Sequence, residues 1–343
     1  MKNFWNYNKE YSKLRKNILF SIDKALKSGN LFFGNELYKF EKTFNRLNSS
    51  KFGLAVGSGT EALYIALKCF GIGVGDEVIT VSNTAIPTAS AITSAGAKIK
   101  FVDINENYLI DPHQIEQNIT KKTKAIIPVH LYGQSCDMDK INKIAKKYKL
   151  KVIEDCAQAQ GARYKNKYVG TLGDAGCFSF YPTKILGAYG DGGFITVNSQ
   201  KYFEKMRRIR FYGIESLNKK NEFYGKYYSN EQGINSRIDE IQLSILNIKL
   251  LKVNEFINKR RKIAKYYKNK LKDTSLKLPE VGIGNKHVYH LFTVYHKKRN
   301  EIFSRLKKRG IKLNIYYPYP IHMMKGYKFL SRNKKLKLKK TEK

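Results

Sequence analysis

The 343-residue chain is predicted to fold as an α/β protein with two parts: a large domain on a mainly parallel sheet and a smaller C-terminal α+β domain. Three observations predict it. Between Phe52 and Asn198 short apolar runs alternate with segments of helical period, a long helical pattern over 236–271 leads away from them, and a helix flanked by two extended runs follows. A chain of this length can bury a large core and divide into one big domain and a smaller one.

Taken in order, the N-terminal segment predicts a helix over Lys9–Lys27, a turn from Gly29 to Gly34, and a helix over Glu36–Leu47. The large domain then offers strands at Phe52–Val56, Glu77–Val81, Ile99–Asp103, Ala125–Val129, Lys151–Asp155, Gly176–Phe180 and Gly193–Val197. Helices are expected near Thr60–Phe70, Ile86–Ala95, Met138–Tyr148 and Lys201–Phe211. Beyond the long helix over 236–271, a strand at His290–His296, a helix at Arg299–Arg309 and a strand at Lys312–Tyr317 would build the small domain. Residues 1–235 are thus expected to form the large domain and 236–330 the small one. Residues 331–343 carry seven basic residues and one acid with no apolar stripe. They are expected to be either a disordered basic extension or a sign that the small domain lacks its final elements.

Composition narrows the function. The net charge of +37 raises nucleic-acid binding as an option, but the lysines are spread along the chain and no helix-turn-helix, zinc-finger or RNP-type motif accompanies them. The charge is read instead as an aid to capturing an anionic small molecule. No run approaches the roughly 20 apolar residues of a membrane span, and Met1-Lys2-Asn3-Phe4-Trp5 lacks a signal-peptide pattern, so a cytoplasmic protein with no membrane partner is expected. Cys69, Cys136, Cys156 and Cys177 lack metal-ligand spacing; buried free thiols and no metal site are expected.

The chemistry concentrates at a few positions. Lys184 ends the run Phe178-Ser179-Phe180-Tyr181-Pro182-Thr183-Lys184 and precedes Gly187, Gly190, Gly192 and Gly193. Upstream, the apolar Val152-Ile153 runs into Glu154-Asp155. Alone, Lys184 reads as one more surface lysine. A lysine beside mobile backbone, with a carboxylate at a buried strand end, is nevertheless what pyridoxal phosphate (PLP) needs: an amine for the Schiff base and an acid that keeps the pyridine nitrogen protonated. Gly57-Ser58-Gly59-Thr60 joins the first strand to a helix, where small residues, free N–H groups and two hydroxyls can cradle a phosphate. The plainer reading is a strand-to-helix turn with Ser58 or Thr60 as N-cap. Ser179 could donate to the same phosphate, and Gln158 could reach the phenolic oxygen or ring face or be an ordinary polar cap. His130 and Tyr132 sit at the same rim, as structural residues or contacts. In parallel sheets ligands bind beyond the carboxyl ends of the strands, where Asp155 and Ser179 fall.

With these residues in place, the chain resembles the sugar aminotransferases of the DegT/DnrJ/EryC1/StrS family, which have the aspartate-aminotransferase-like fold (fold type I of PLP enzymes). The resemblance is carried by Val56-Gly57-Ser58-Gly59-Thr60-Glu61-Ala62-Leu63, Gly75-Asp76-Glu77-Val78-Ile79, Val129-His130-Leu131-Tyr132-Gly133-Gln134, Glu154-Asp155-Cys156-Ala157-Gln158, Ser179-Phe180-Tyr181-Pro182-Thr183-Lys184, Gly190-Asp191-Gly192-Gly193 and Gly233-Ile234-Asn235-Ser236-Arg237. It implies that Lys184 bonds the cofactor and moves the proton, that Asp155 pairs with the pyridinium, and that Gln158 touches the ring oxygen. It also implies that Ser58, Gly59, Thr60 and Ser179 hold the phosphate. Asn235 would reach the phosphate of a neighbouring subunit, making the active unit a homodimer with shared sites. Tyr181, Tyr317 and His322 are implied as substrate contacts.

Within the family, Ser82-Asn83-Thr84-Ala85-Ile86-Pro87-Thr88 and Leu186-Gly187-Ala188-Tyr189-Gly190 look closest to enzymes that aminate C3 of dTDP-linked 3-keto-6-deoxyhexoses, with glutamate the expected donor. Two departures stand out: Ala85 where many relatives place an aromatic ring, and Tyr316 where a histidine is frequent. Relatives usually continue past Thr341-Glu342-Lys343 through another helix and strand, so a truncated, weakly active product is also expected as an option. Three competing readings remain. A PLP-dependent sugar dehydratase would carry histidine in place of Lys184. The others are a regulatory or nucleic-acid-binding protein on this scaffold, and a non-catalytic remnant.

Overall fold

The computed structural model describes residues 6–214, 228–331 and 336–343. Two helices, α1 (Asn8–Lys27) and α2 (Asn35–Asn48), precede the sheet. Next come β1 (Phe52–Val56), α3 (Gly59–Cys69), β2 (Glu77–Val81), α4 (Ile86–Ser94), β3 (Lys98–Val102), α5 (Pro112–Gln117), β4 (Thr123–Ile126), α6 (Met138–Tyr148) and β5 (Lys151–Asp155). A short hairpin, β6 (Arg163–Tyr164) and β7 (Lys167–Tyr168), leads to β8 (Ala175–Ser179), β9 (Gly193–Val197) and α7 (Gln200–Ile209). Then come α8 (Glu240–Leu250), α9 (Val253–Leu271), β10 (Asn285–Lys286) and α10 (Arg299–Lys308).

Seven strands form one sheet in the order β1-β9-β8-β5-β4-β2-β3. All neighbouring pairs are parallel except those made by β9, which runs against both β1 and β8. The strands read as continuous apolar runs because helices cover both faces. Leu54, Val56, Ile153 and Ile195 pack with Leu63 and Leu67 of α3 and with Met206 of α7. On the other face, Phe178, Phe180 and Phe194 meet Phe40 and Phe44 of α2 and Leu243 of α8. The Phe44 and Phe194 ring centres lie 4.5 Å apart. Each such ring, taken from water, contributes roughly 1.5–3 kcal/mol.

Register sets the site. Asp155 pairs with Cys177, Ser179 with Gly193, and Gly193 with Val56. The carboxyl ends of β5, β8 and β1 therefore open on the same edge of the sheet, around the start of β9. The helices begin where the sequence allows. Asp137 accepts the Lys140 N–H at 3.3 Å to start α6, whose Met138, Ile141 and Ala145 repeat at helical spacing and are buried.

The C-terminal part departs from expectation in three ways. The single helix expected over 236–271 is two helices. The capping seen at Asp137 recurs at Asp239, which accepts the Gln242 N–H at 2.7 Å and delays the start of α8 to Glu240, while the chain turns at Leu251-Lys252. The strands expected at His290–His296 and Lys312–Tyr317 do not form among the described residues; Tyr295 makes only an isolated bridge to Lys277. Alternating polarity needs a neighbouring strand to become a ladder. Finally, residues 336–343 are not a free extension: Leu338 is buried with Phe101 and Ile321, and Asp103 accepts the N–H groups of Lys340 and Thr341 at 2.8 and 2.9 Å.

Candidate active site

At the end of β5, Asp155 is buried and holds two internal hydrogen bonds. Its Oδ2 accepts from the Thr88 hydroxyl at 2.8 Å and its Oδ1 from the Ala157 N–H at 3.1 Å. Burial pushes its carboxyl above the ordinary range, while Thr88, the Ala157 amide and the charge of Lys184 pull it back. Lys184 feels the same pairing in reverse: burial lowers its amine and Asp155 opposes that fall. The acid and the amine expected to flank one ring thus share one electrostatic environment.

The loop carrying Lys184 is fixed from several sides. Its N–H donates to Tyr181 O at 2.8 Å. Gln160 Nε2 donates to Ser179 O at 2.6 Å and to Leu186 O at 3.2 Å, and Gln160 Oε1 accepts the Leu186 N–H at 3.1 Å. Lys249, buried on α8, donates to Gly187 O and pairs with Glu10 of α1 at 2.6 Å. Sequence reasoning found neither Gln160 nor Lys249, and it gave Thr88 no role beyond a place in a family motif. Their partners lie tens of residues away, and no local pattern marks them.

The turn between β1 and α3 sits beside this loop. A Cβ added to Gly59 would lie 2.7 Å from Ser179 Cβ, and one added to Gly193 would lie 2.4 Å from the Ser58 carbonyl. Glycine is therefore required for backbone to approach backbone here. Ser58 Oγ accepts the Glu61 N–H at 3.2 Å as N-cap, which leaves its own hydrogen to donate. Ser179 Oγ likewise accepts the Tyr181 N–H at 3.2 Å, and Thr60 is half-buried in the first turn of α3. A side chain at position 59 would collide with Ser179, so its absence keeps the Ser58 and Ser179 hydroxyls and the first turn of α3 close together. The residues present fit a phosphate there, and with Asp155 and Lys184 they fit PLP.

Gln158 is buried with its Oε1 accepting the Tyr132 N–H at 2.9 Å and its Nε2 donating to the Tyr317 hydroxyl at 2.8 Å. One amide hydrogen remains. Tyr317 is brought to the same rim, and burial raises its phenol to about 12, so it stays a neutral donor. Tyr181 is exposed beside the lysine loop. Asn235 is exposed too, next to Ser236, whose hydroxyl donates to Glu61 at 2.5 Å and accepts the Gly57 N–H at 3.1 Å. His322 is placed differently from the others. It is buried with Nδ1 at 2.7 Å from Ser82 Oγ and Nε2 at 3.2 Å from Glu342, so both ring nitrogens are engaged within the chain.

His130, Glu154 and the Cys156 thiol cluster within 4.8 Å, behind Asp155. Hydrogen bonds within the chain engage the histidine and the glutamate. Glu154 accepts the N–H groups of Gly170, Leu172 and Gly173 at 2.8, 2.7 and 2.7 Å, and sits 2.8 Å from His130 Nε2. His130 Nδ1 accepts the Cys136 N–H at 3.1 Å, which puts the ring hydrogen on Nε2. All four cysteines are buried and unpaired.

Known proteins are similar to this chain over most of its length. A dTDP-3-amino-3,4,6-trideoxy-alpha-D-glucose transaminase from Micromonospora megalomicea subsp. nigra is 43% identical over 332 residues, 95% of this chain and 87% of the relative. A dTDP-3-amino-3,6-dideoxy-alpha-D-galactopyranose transaminase from Aneurinibacillus thermoaerophilus is 45% identical over 316 residues, 92% of this chain and 85% of the relative. Among solved structures, S. venezuelae DesV in complex with a ketimine intermediate superposes with a TM-score of 0.93 at 35% identity, covering 99% of this chain and 90% of that one. The family model for DegT/DnrJ/EryC1/StrS aminotransferases matches residues 12–343, and the chain belongs to that family.

Proposed function

We propose that the protein is a PLP-dependent aminotransferase that moves an amino group from an amino acid, glutamate by preference, to C3 of a dTDP-linked 3-keto-6-deoxyhexose. The observation that carries this reading is the buried Asp155 and the Lys184 amine, each under the other's charge, beside the Gly59–Ser179 cradle. Bound PLP supplies an aldehyde that carries the amino group and a ring that accepts electrons. The chain's own residues do the rest. Asp155, made reluctant to ionise by burial, regains its charge opposite a ring N–H⁺. Lys184, its amine pulled below the ordinary value by burial, is a base able to take and return a proton. Ser58, Gly59, Thr60 and Ser179 bind the phosphate, and Gln158 offers its remaining hydrogen to the ring oxygen. Tyr181 and Tyr317 face the sugar side.

The relatives' names support a dTDP-sugar with amination at C3. The basic balance of +37 suits a diphosphate-bearing substrate. We assign Asn235 to the phosphate site of a second copy, so the working unit is a homodimer, and a cytoplasmic location follows from a soluble nucleotide-sugar substrate. Among the described residues no helix is long and apolar enough to cross a membrane. Incubating the PLP-loaded protein with glutamate and a panel of dTDP- and UDP-keto sugars, then identifying products by mass and NMR, tests the reading. A 3-amino dTDP-sugar formed together with 2-oxoglutarate is expected; a cofactor-loaded protein that aminates no keto sugar would overturn it.

A further inference from the structure

Gln160 closes the segment that begins with Asp155, and its whole side-chain amide is engaged by the main chain of the Lys184 loop. The residue is buried; Nε2 donates to Ser179 O at 2.6 Å and to Leu186 O at 3.2 Å, and Oε1 accepts the Leu186 N–H at 3.1 Å. Ser179 and Leu186 are the two shoulders of the loop, with Lys184 between them. The Ala188 N–H closes the neck of the loop by donating to Phe180 O at 2.7 Å. Its two limbs run so close that a Cβ on Gly187 would lie 2.5 Å from Pro182 O.

The other end of this tie is equally fixed. The Cys156 N–H donates to Cys177 O at 2.8 Å, the Ala157 N–H to Asp155 Oδ1 at 3.1 Å, and the Ala159 and Ala162 N–H groups to Cys156 O and Ala159 O, each at 2.9 Å. These turns give 155–162 a defined shape, so Asp155, Gln158 and Gln160 hold set positions relative to one another. Asp155 and Lys184 belong to separate stretches of chain, and the Gln160 amide bonds one stretch directly to the other. A buried amide satisfied at its oxygen and at both hydrogens makes its surroundings rigid. A loop held by its neck alone would remain free to swing about Phe180 and Ala188. Three bonds from one planar group remove that freedom.

We propose that Gln160 is a positioning residue for Lys184: it sets where the amine stands relative to the Asp155 carboxyl and to the Ser179 hydroxyl at the phosphate seat. The proposal rests on the reading of Lys184 as the amine that bonds PLP. Gln160 exchanges no proton, and both its hydrogens stay on the Ser179 and Leu186 carbonyls throughout. A misplacement of about 1 Å between reacting groups can cost about a hundredfold in rate. Loosening the loop is therefore expected to slow turnover in molecules that still fold and still bind PLP.

The test compares the PLP-loaded wild type with Gln160→Met, of similar length but without hydrogen bonds to the loop. A second variant, Gln160→Glu, keeps an acceptor for the Leu186 N–H and can donate at most one hydrogen where the amide donates two. Turnover with glutamate and the keto sugar is expressed per molecule of bound PLP, alongside KM and thermal melting. The expected result for Gln160→Met is a fall in kcat per bound PLP of about tenfold or more, with KM for glutamate little changed. PLP affinity gives a second readout. Gln160→Met should weaken it roughly fivefold, the worth of one hydrogen bond, and should weaken it less in a Ser179→Ala background, because the effect passes through Ser179. Wild-type kcat per bound PLP with only a lower melting temperature, a change confined to KM, or an equal loss of PLP affinity in both backgrounds would overturn the assignment. If Gln160→Met fails to fold, Gln160→Glu decides: a loss of about tenfold per bound PLP upholds the proposal and wild-type turnover refutes it. A Lys184→Ala control separates the two levels. Retained turnover there refutes the underlying reading, whereas wild-type behaviour of the Gln160 variants beside an inactive Lys184→Ala refutes only this inference.

Discussion

Thr88 and Asp155 are joined by a 2.8 Å hydrogen bond that ties the first turn of α4 to the end of β5. The hydroxyl is one of the groups that restrain the rise in the Asp155 pKa caused by burial. Replacing Thr88 with Val removes it while keeping the shape. Asp155 then binds its proton more readily, so the acid limb of activity should move to higher pH. A cost of about 1–2 kcal/mol in PLP affinity is expected. Activity–pH profiles and cofactor titration check both; an unmoved acid limb would show that Thr88 does not tune the carboxylate.

Gly59 has a simpler constraint. In Gly59→Ala the new methyl meets Ser179 at 2.7 Å, and either backbone must shift. We expect a stability loss of roughly 1–3 kcal/mol and weaker PLP binding. Denaturant melts and equilibrium dialysis measure the two effects.

The strands and the site were legible for a common reason. Buried parallel strands read as apolar runs, so β5 was placed over Lys151–Asp155 and the acid at its end could be named. Lys184 was legible because the glycines behind it and the family motifs around it are local. What could not be read depended on distant partners. His290 looked like the start of a strand, and only its clamp on Tyr132 and Gly133, over 150 residues earlier, turns it inward. Residues 331–343 read as either a disordered basic extension or a sign of missing small-domain elements, because the anchor of 336–343, Asp103, lies more than 230 residues upstream. His322 matched a substrate-side motif, but its ring is occupied by Ser82 and Glu342.

That anchor is testable. Burial would raise the Asp103 carboxyl, but the Thr341 hydroxyl and the N–H groups of Lys340, Ile104 and Thr341 bring it below the ordinary value. Its contribution is present above the unfolded pKa and lost as pH falls through the lower folded one. Asp103→Ala should therefore release residues 336–343 at neutral pH. Limited proteolysis followed by mass spectrometry should show faster cleavage after Lys337, Lys339 or Lys340; unchanged cleavage would mean the docking is carried by Leu338 alone.

His287 gives a second pH signature. Burial, with Lys268 and Arg261 nearby, lowers its pKa to about 3. Its share of stability is complete above the unfolded value near 6.5 and is lost progressively as pH falls from there toward about 3. At pH 5 the loss is about 2 kcal/mol. Chemical denaturation at pH 7 and pH 5 should show a smaller acid penalty in His287→Phe than in the wild type. Equal penalties would contradict a buried neutral ring.

The most direct measurement is to trap the cofactor. The PLP-loaded protein is reduced with borohydride and digested, and the peptide bearing the pyridoxyl group is sequenced by mass spectrometry. The modification is predicted on Lys184 alone; labelling of another lysine, or no labelling of a protein that has bound PLP, would contradict the site described here.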